Sequence, residues 1–212
     1  IELHVNGVYV GYSMLGRAEF DVSQYLTIGE NEIVVIVKKW TPATYLEGGD
    51  GFSATGIIGD VTLTKTLPCS LYDYSVKIRK EGVDYFLDLD LAFMSDEAVV
   101  KVEMFDGDKK VFDKRAEVES GLNRTGIVGR FEGYSAEKPV LYDVLVKVYK
   151  NNFLAECTRI KVGFNNLAII GDVAYYNDSP LKLRGVTYNP VYNELGELLT
   201  EQDIKRDFAL IK

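Results

Sequence analysis

The chain has 212 residues, of which 47% are hydrophobic, and a formal net charge of −8 at pH 7. This apolar content supports a folded core and argues against disorder. The negative charge argues against a nucleic-acid partner, because such a surface needs clustered Lys and Arg to replace the counterions of phosphates. No apolar run approaches the ~20 residues that cross a bilayer, so we expect no membrane partner.

Residues 1–66 are predicted to be all-β. Apolar and polar residues alternate on both sides of Asn6-Gly7, which is a strong signal for a two-residue hairpin turn. The run Ile33–Val37 is β-branched and apolar at every position, which predicts a strand buried on both sides. Residues 56–66 predict one further strand.

Residues 67–168 have the pattern of a second β domain. Strand-like runs are separated by turns, and the clearest runs lie at 71–78, 85–91, 99–105, 140–149 and 153–162. About seven short strands in roughly 100 residues are typical of an immunoglobulin-like sandwich. The Cys-Trp-Cys pattern of antibody domains is missing from the sequence.

Residues 169–212 change in character. A hairpin is predicted from residues 173–176 and 181–183 around a turn at 177–180, with a strand continuing through 184–186. Thr200 and Asp203 have the spacing of a helix capping box, and apolar residues follow at helical spacing, at Ile204, Phe208 and Ile211. A lone βα unit cannot bury its own apolar faces, so we expect a larger domain to begin here.

The cysteines and the single histidine do not predict a metal site. Cys69 and Cys157 lack metal-ligand spacing, and we expect buried free thiols. A disulfide between them is possible only if the fold brings their Cα atoms within ~7 Å. His4 is expected to be an ordinary strand residue.

Residues 40–61 form a glycine-rich acidic segment, which we call the acidic loop. It reads Trp-Thr-Pro-Ala-Thr-Tyr-Leu-Glu-Gly-Gly-Asp-Gly-Phe-Ser-Ala-Thr-Gly-Ile-Ile-Gly-Asp-Val. This segment resembles the loop by which the sugar-binding domain of glycoside hydrolase family 2 reaches its active site. That family is the clan of β-galactosidases and β-glucuronidases. Residues 5–12, 19–26 and 29–31 are similar to the later strands of the same jelly-roll domain.

Two further segments resemble the same family in the same order. Pro139-Val-Leu-Tyr142 with Val162-Gly-Phe164 is similar to landmarks of its immunoglobulin-like domain. Residues 177–186, Asn-Asp-Ser-Pro-Leu-Lys-Leu-Arg-Gly-Val, are similar to the entry into its catalytic (β/α)₈ barrel.

The resemblance implies a mainly β fold in three parts. Residues 1–66 would be the C-terminal part of the jelly-roll sandwich, 67–168 the immunoglobulin-like sandwich, and 169–212 a hairpin and βα unit that start the TIM barrel. The sequence also departs from the family. The tryptophan after the loop aspartate is absent, Gly59 replaces an arginine, and residues 187–192 lack the histidines of the galactoside site.

The resemblance nominates three substrate-binding residues. Asp50 matches the loop aspartate that holds sugar hydroxyls directly or through a cation; its alternative is a solvated turn residue. Arg184 would sit near the end of the first barrel strand and orient a carboxylate, or form a structural salt bridge. Asn189 is a candidate hydroxyl contact, while Tyr188 and Tyr192 would stack on a sugar or simply pack.

The resemblance implies a parent enzyme that hydrolyses β-linked glycosides with retention. Both catalytic glutamates would lie late in the barrel, so no catalytic residue is expected in this chain and the chain alone is expected to be inactive. No cofactor is required, and a Na or Mg ion at Asp50 in the full-length parent stays open.

The alternative class of function is a non-catalytic tandem β-sandwich that binds carbohydrate or a protein. For either class the implied partner is a carbohydrate. We also expect that the apolar residues of segment 169–212, which we call the apolar tail, allow the chain to form a homo-oligomer. We expect a cytoplasmic location; a secreted or periplasmic one stays open because the sequence opens mid-domain.

Overall fold

The computed structural model describes residues 1–14, 17–46, 56–57, 59–95, 98–188 and 200–211. The chain divides into two compact units. The first unit comprises Ile1–Leu63 with Gly185–Lys212, and the second comprises Thr64–Arg184.

The first unit contains an antiparallel sheet of three described strands. They are β1 (Glu2–Val5), β2 (Val8–Tyr12) and β3 (Ile33–Ile36), in the order β2-β1-β3. Asn6 and Gly7 form the turn between β1 and β2 with φ values of 52° and 76°, so the predicted hairpin is confirmed. A 3₁₀ turn (Ser23–Tyr25) precedes β3, and the short helix α1 (Ala43–Leu46) follows it.

Two strand predictions in this unit are wrong. Within the described residues β3 lies at the edge of the sheet, and Ile33, Val34 and Ile36 remain 43%, 39% and 40% exposed, so β3 is not buried on both sides. Residues 59–67 form no strand, because no described strand pairs with them. β-branched residues favour an extended chain, but burial requires neighbours that sequence periodicity does not reveal.

The second unit contains the predicted immunoglobulin-like sandwich. Its seven strands are β4 (Leu71–Glu81), β5 (Asp84–Phe93), β6 (Val99–Asp106), β7 (Lys109–Glu117), β8 (Gly121–Gly129), β9 (Tyr142–Lys150) and β10 (Phe153–Val162). They form a three-stranded sheet, β4-β5-β8, and a four-stranded sheet, β10-β9-β6-β7. This arrangement confirms the mainly β, sandwich-type fold.

Strict alternation builds the core between the two sheets. Side chains at every second position of β5 and β9 are fully buried: Leu87, Leu89, Leu91, Val144, Val146 and Val148. Phe164 lies 4.2 Å from Phe131 in a stacked pair and meets Tyr142 edge-on at 5.2 Å. Cys69 is buried and Cys157 is exposed, and both are free thiols, so the expectation of burial fails for Cys157.

A hairpin, which we call the tail hairpin, extends the second unit. It consists of β11 (Leu167–Ile170), β12 (Val173–Tyr176) and β13 (Ser179–Pro180), with Asn177 and Asp178 in the turn at φ 47° and 66°. The returning strand is therefore Ser179–Pro180 and not 181–183. Residues 184–186 are not a strand, since a parallel barrel strand needs neighbouring strands and no described strand pairs with them.

The last element is helix α2 (Glu201–Ile211), which belongs to the first unit. Thr200 Oγ1 accepts from the Asp203 amide at 3.2 Å and Asp203 Oδ2 accepts from the Thr200 amide at 3.1 Å, so the predicted capping box is confirmed. None of the helices in the described part of the chain is long and apolar enough to cross a membrane.

Candidate functional site

Two of the three nominated sugar contacts, Asp50 and Asn189, lie outside the described residues. The same holds for Tyr192, which follows the tail hairpin in the sequence. These side chains therefore stay predictions, and so does a cation at Asp50.

The described residues that lead into the acidic loop form a short, locally bonded turn. The Thr41 amide donates to Thr44 Oγ1 at 3.1 Å, and the Thr44 amide donates back to the Thr41 carbonyl at 3.0 Å. Trp40 precedes this turn with 73% of its side chain exposed, and Lys39 Nζ lies 5.6 Å from the centroid of its ring system. An exposed indole at the base of the loop is a surface on which a sugar face can pack.

Arg184 lies in the irregular segment that follows β13. Its side chain is exposed, and within the described residues no carboxylate lies at ion-pair distance from it. A structural salt bridge is therefore not seen in this part of the chain.

Tyr188 packs on helix α2. Its hydroxyl donates to Asp207 Oδ2 at 2.7 Å, and its ring lies 5.8 Å from the ring of Phe208. Of the two roles considered for Tyr188, packing is the one observed. The sequence alone did not predict this contact, because the spacing of Tyr188 and Asp207 belongs to no periodic pattern.

The family landmarks in the second unit have structural roles. Tyr142 begins β9, and its hydroxyl accepts from the Glu132 amide at 3.0 Å, like the tyrosine corner of immunoglobulin-type sandwiches. Asn177 joins the tail hairpin to the sandwich: its Nδ2 donates to the Tyr134 carbonyl at 2.7 Å and its Oδ1 accepts from the Asn166 amide at 3.0 Å. These contacts give Tyr142 and Asn177 structural roles.

Several described carboxyl groups have a lowered pKa because cations or hydrogen-bond donors lie beside them. Lys101, Lys147 and Lys110 donate to Glu103 and lower the pKa of its carboxyl group to about 2. Arg124 likewise lowers the pKa of Asp90. The carboxyl groups whose pKa is clearly lowered are those of Glu2, Asp21, Asp90, Glu103, Asp113, Asp143 and Asp203.

A glycosidase acid needs the opposite environment, because it must keep its proton near neutral pH to protonate the leaving group. None of the clearly shifted carboxyl groups in the described ranges meets this requirement. Among the same residues no group of three or more His, Cys, Asp or Glu side chains is placed to hold a metal ion. The clearly shifted carboxyl groups are held by neighbouring cations or by local hydrogen-bond donors.

One family model and two relatives match this chain by sequence, and all three agree. Residues 1–68 match the family model described as "Glycosyl hydrolases family 2, sugar binding domain". A β-galactosidase of Photobacterium profundum is 33% identical over 231 aligned positions, which cover 99% of this chain and 22% of that protein. A β-galactosidase of Staphylococcus xylosus is 32% identical and aligns with 98% of this chain and 20% of its own length.

Solved structures share the fold at lower identity. A β-glucuronidase of Bacteroides uniformis superposes with a TM-score of 0.78 and 19% identity, covering 99% of this chain and 28% of that one. A β-glucuronidase of Ruminococcus gnavus gives a TM-score of 0.73 and 18% identity, with 99% and 39% coverage. The chain spans about a fifth of the length of the curated relatives it matches. The sequence matches support membership of glycoside hydrolase family 2, directly for residues 1–68, and the solved structures support the fold alone.

Proposed function

We propose that the chain forms the sugar-binding and immunoglobulin-like part of a longer retaining β-glycosidase with a preference for β-galactosides. The observation that carries this proposal is the 33% identity to a β-galactosidase across 99% of the chain. The preference for galactosides over glucuronides follows the curated relatives, because the glucuronidase structures share only the fold.

In this proposal the chemistry lies outside the chain. Asp90, Glu103 and Asp143 have lowered pKa values. This favours a structural role for these carboxyl groups rather than a catalytic one. Asp50 would hold sugar hydroxyls, directly or through a Na or Mg ion, since carboxylate oxygens accept hydroxyl hydrogens and suit hard cations. Arg184 and Asn189 would add donors from the segment that follows the hairpin.

The test is steady-state kinetics of Asp50→Ala in the longer protein that contains this chain. Removing an acceptor from buried hydroxyls costs ~1–3 kcal/mol, so we expect kcat/KM on a nitrophenyl β-galactoside to fall roughly ten- to a hundred-fold. Asp108→Ala, in the exposed turn between β6 and β7, is the matched control and should leave kcat/KM unchanged. The 212-residue chain alone should not hydrolyse the substrate.

Two outcomes would contradict the proposal. Equal efficiencies of wild type and Asp50→Ala would show that the acidic loop is architectural only. A longer protein without hydrolytic activity on any β-glycoside would favour a non-catalytic tandem sandwich that binds carbohydrate or protein. Self-association through the apolar tail belongs to the same proposal, and its measure is the molar mass in solution.

A further inference from the structure

The immunoglobulin-like sandwich has a concave surface that the proposed function does not use. It has a volume of about 570 Å³, within the roughly 300–1,000 Å³ of small-ligand sites, and lies where β6 begins and β7 and β9 end. We call it the sandwich pocket. Its lining residues are Ala98, Val99, Arg115, Glu117, Val118, Glu119, Tyr149, Asn151 and Asn152.

Strand register gives the pocket a floor and two walls. Val99 pairs with Glu117 on β7 and with Tyr149 on β9, so these three side chains share one face of the sheet. Neighbouring strands are about 4.8 Å apart, which places Glu117 and Tyr149 about 10 Å from each other across an apolar floor. Arg115 lies two residues before Glu117, on the same face, and its guanidinium carbon is 5.6 Å from the centroid of the Tyr149 ring.

Apart from the contact of Arg115 with the Tyr149 ring, the polar side chains of the sandwich pocket have no described partner in the fold. Within the described residues, the side chains of Arg115, Glu117 and Glu119 form no ion pair or hydrogen bond, and the same holds for those of Asn151 and Asn152. The other described arginines on the outer sheet faces do pair: Arg124 with Asp90 and Arg159 with Asp143. The pocket therefore collects hydrogen-bonding capacity around an aromatic ring.

A second concavity on the same sheet provides the contrast. It has about 210 Å³ and is lined by Phe105, Gly107, Asp143, Leu145 and Arg159. Its charged groups are satisfied by each other, because Arg159 donates to both carboxylate oxygens of Asp143 at 2.7 and 2.5 Å. A ligand there would have to displace a bidentate ion pair, whereas a ligand in the sandwich pocket meets no ion pair and only the contact of Arg115 with the Tyr149 ring.

The rim of the sandwich pocket is rigid. The Val118 amide donates to the Ala98 carbonyl at 3.0 Å, and Asn123 bonds both the amide and the carbonyl of Glu119, at 2.9 and 2.6 Å. Asn151 and Asn152 form a tight hairpin turn with φ values of 50° and 65°. A site held on strands and tight turns loses little entropy on binding.

We propose that the sandwich pocket is a second carbohydrate-binding site, for a neutral pyranose with several free hydroxyls. Carboxylates accept hydrogen bonds from hydroxyls, a guanidinium donates to them, and amides do both. The tyrosine ring and the valine floor pack on the apolar C–H face of the sugar. Two carboxylates beside one guanidinium disfavour a strongly anionic ligand, and the guanidinium disfavours a cation.

The test is binding of methyl β-D-galactopyranoside and lactose to the 212-residue chain, measured by ligand-observed NMR and calorimetry. Tyr149→Ala removes the packing surface for the sugar and should weaken binding about tenfold. Arg115→Gln changes an exposed side chain without a core role and should weaken binding similarly. Tyr72→Ala, at an exposed tyrosine on the other sheet, is the matched control and should bind like wild type.

Two comparisons separate this site from the acidic loop and from unspecific polyol binding. The losses expected in Tyr149→Ala and Arg115→Gln assign the binding to the sandwich pocket, because neither change lies in the acidic loop, and sorbitol, which has no pyranose face, should not bind. No sugar binding by wild type, or equal binding by wild type, Tyr149→Ala and Arg115→Gln, would overturn the proposal. Either result leaves the glycosidase proposal intact, since that depends on catalysis in the longer protein.

Discussion

At the scale of single residues, Glu103 shows how this protein accommodates a buried charge. Its side chain is 5% exposed on β6, and three ammonium groups donate to it, from Lys101 at 2.8 Å, Lys110 at 2.9 Å and Lys147 at 2.5 Å. These contacts offset the desolvation of the carboxylate and hold its pKa at about 2. The group is structural, and its contribution to stability depends on pH.

We predict that Glu103→Gln destabilises the fold at pH 7 by up to about 3 kcal/mol. The folded pKa of about 2 lies below the ordinary value of 4.5, and one pKa unit corresponds to about 1.4 kcal/mol. Because the three lysines are partly exposed, screening by solvent will reduce this figure. The measurement is urea unfolding of both proteins.

The pH dependence gives the sign of this effect. A lowered folded pKa stabilises the protein above about pH 4.5, and that stabilisation is lost as the pH falls from 4.5 toward 2. The difference between wild type and Glu103→Gln should therefore shrink at pH 3. Glu137→Gln, at an exposed glutamate, should show no difference at either pH. A gap that stays constant with pH would mean that Glu103 acts through packing alone.

At the scale of elements, Asn177 connects the tail hairpin to the sandwich. Its positive φ suits the turn between β12 and β13, and its side chain bonds the backbone at two other positions. Asn tolerates this backbone conformation better than most residues, so one side chain meets both requirements. The family landmark at this position is explained by these contacts.

Asn177→Ala should loosen the hairpin by about 2–4 kcal/mol, because it removes two hydrogen bonds and strains the backbone at φ 47°. Asn177→Gly removes only the bonds and should cost less. Hydrogen exchange of the β11 and β12 amides is the measurement, with the β5 amides as internal reference. Equal protection in wild type and both variants would show that other contacts hold the hairpin.

Sequence patterns predicted the elements whose neighbours are implied by alternation. β9 alternates strictly and β5 alternates except at the buried Asp90, and both lie where the sequence placed them. β8 (Gly121–Gly129) was not identified as a separate strand, because its three glycines and its polar residues resemble a loop and only the ladder with β5 makes it a strand. The error at β3 has the same cause, since its burial depends on other strands.

The candidate site was predicted less completely, because its residues come from a resemblance and not from a local pattern. The pairing of Tyr188 with Asp207 and the sandwich pocket both join residues that are distant in sequence. Such pairs become visible only when strand register and helix position are known. Asp50 and Asn189 await a measurement on the residues themselves.

At the scale of the whole molecule, the two compact units bear on where the chain can be divided. The sequence placed the end of the immunoglobulin-like domain at residue 168, whereas the second unit extends to Arg184 and includes the tail hairpin. Tyr176 Oη donates to the Tyr134 carbonyl at 3.2 Å, and Lys80 pairs with Asp178, so the hairpin contacts the sandwich at several points.

We therefore predict that a shortened chain of residues 64–184 folds by itself, and that a chain of residues 64–171 is less stable by about 2–4 kcal/mol. The shorter chain lacks β12 and β13, and with them the bonds from Tyr176 and Asn177 to Tyr134, each of which contributes ~0.5–1.5 kcal/mol. It also leaves β11 without its pairing strand. Urea unfolding followed by circular dichroism measures the stability of both shortened chains. Equal unfolding midpoints would place the domain boundary near residue 168. The hairpin would then be the entrance to the next domain rather than part of the sandwich.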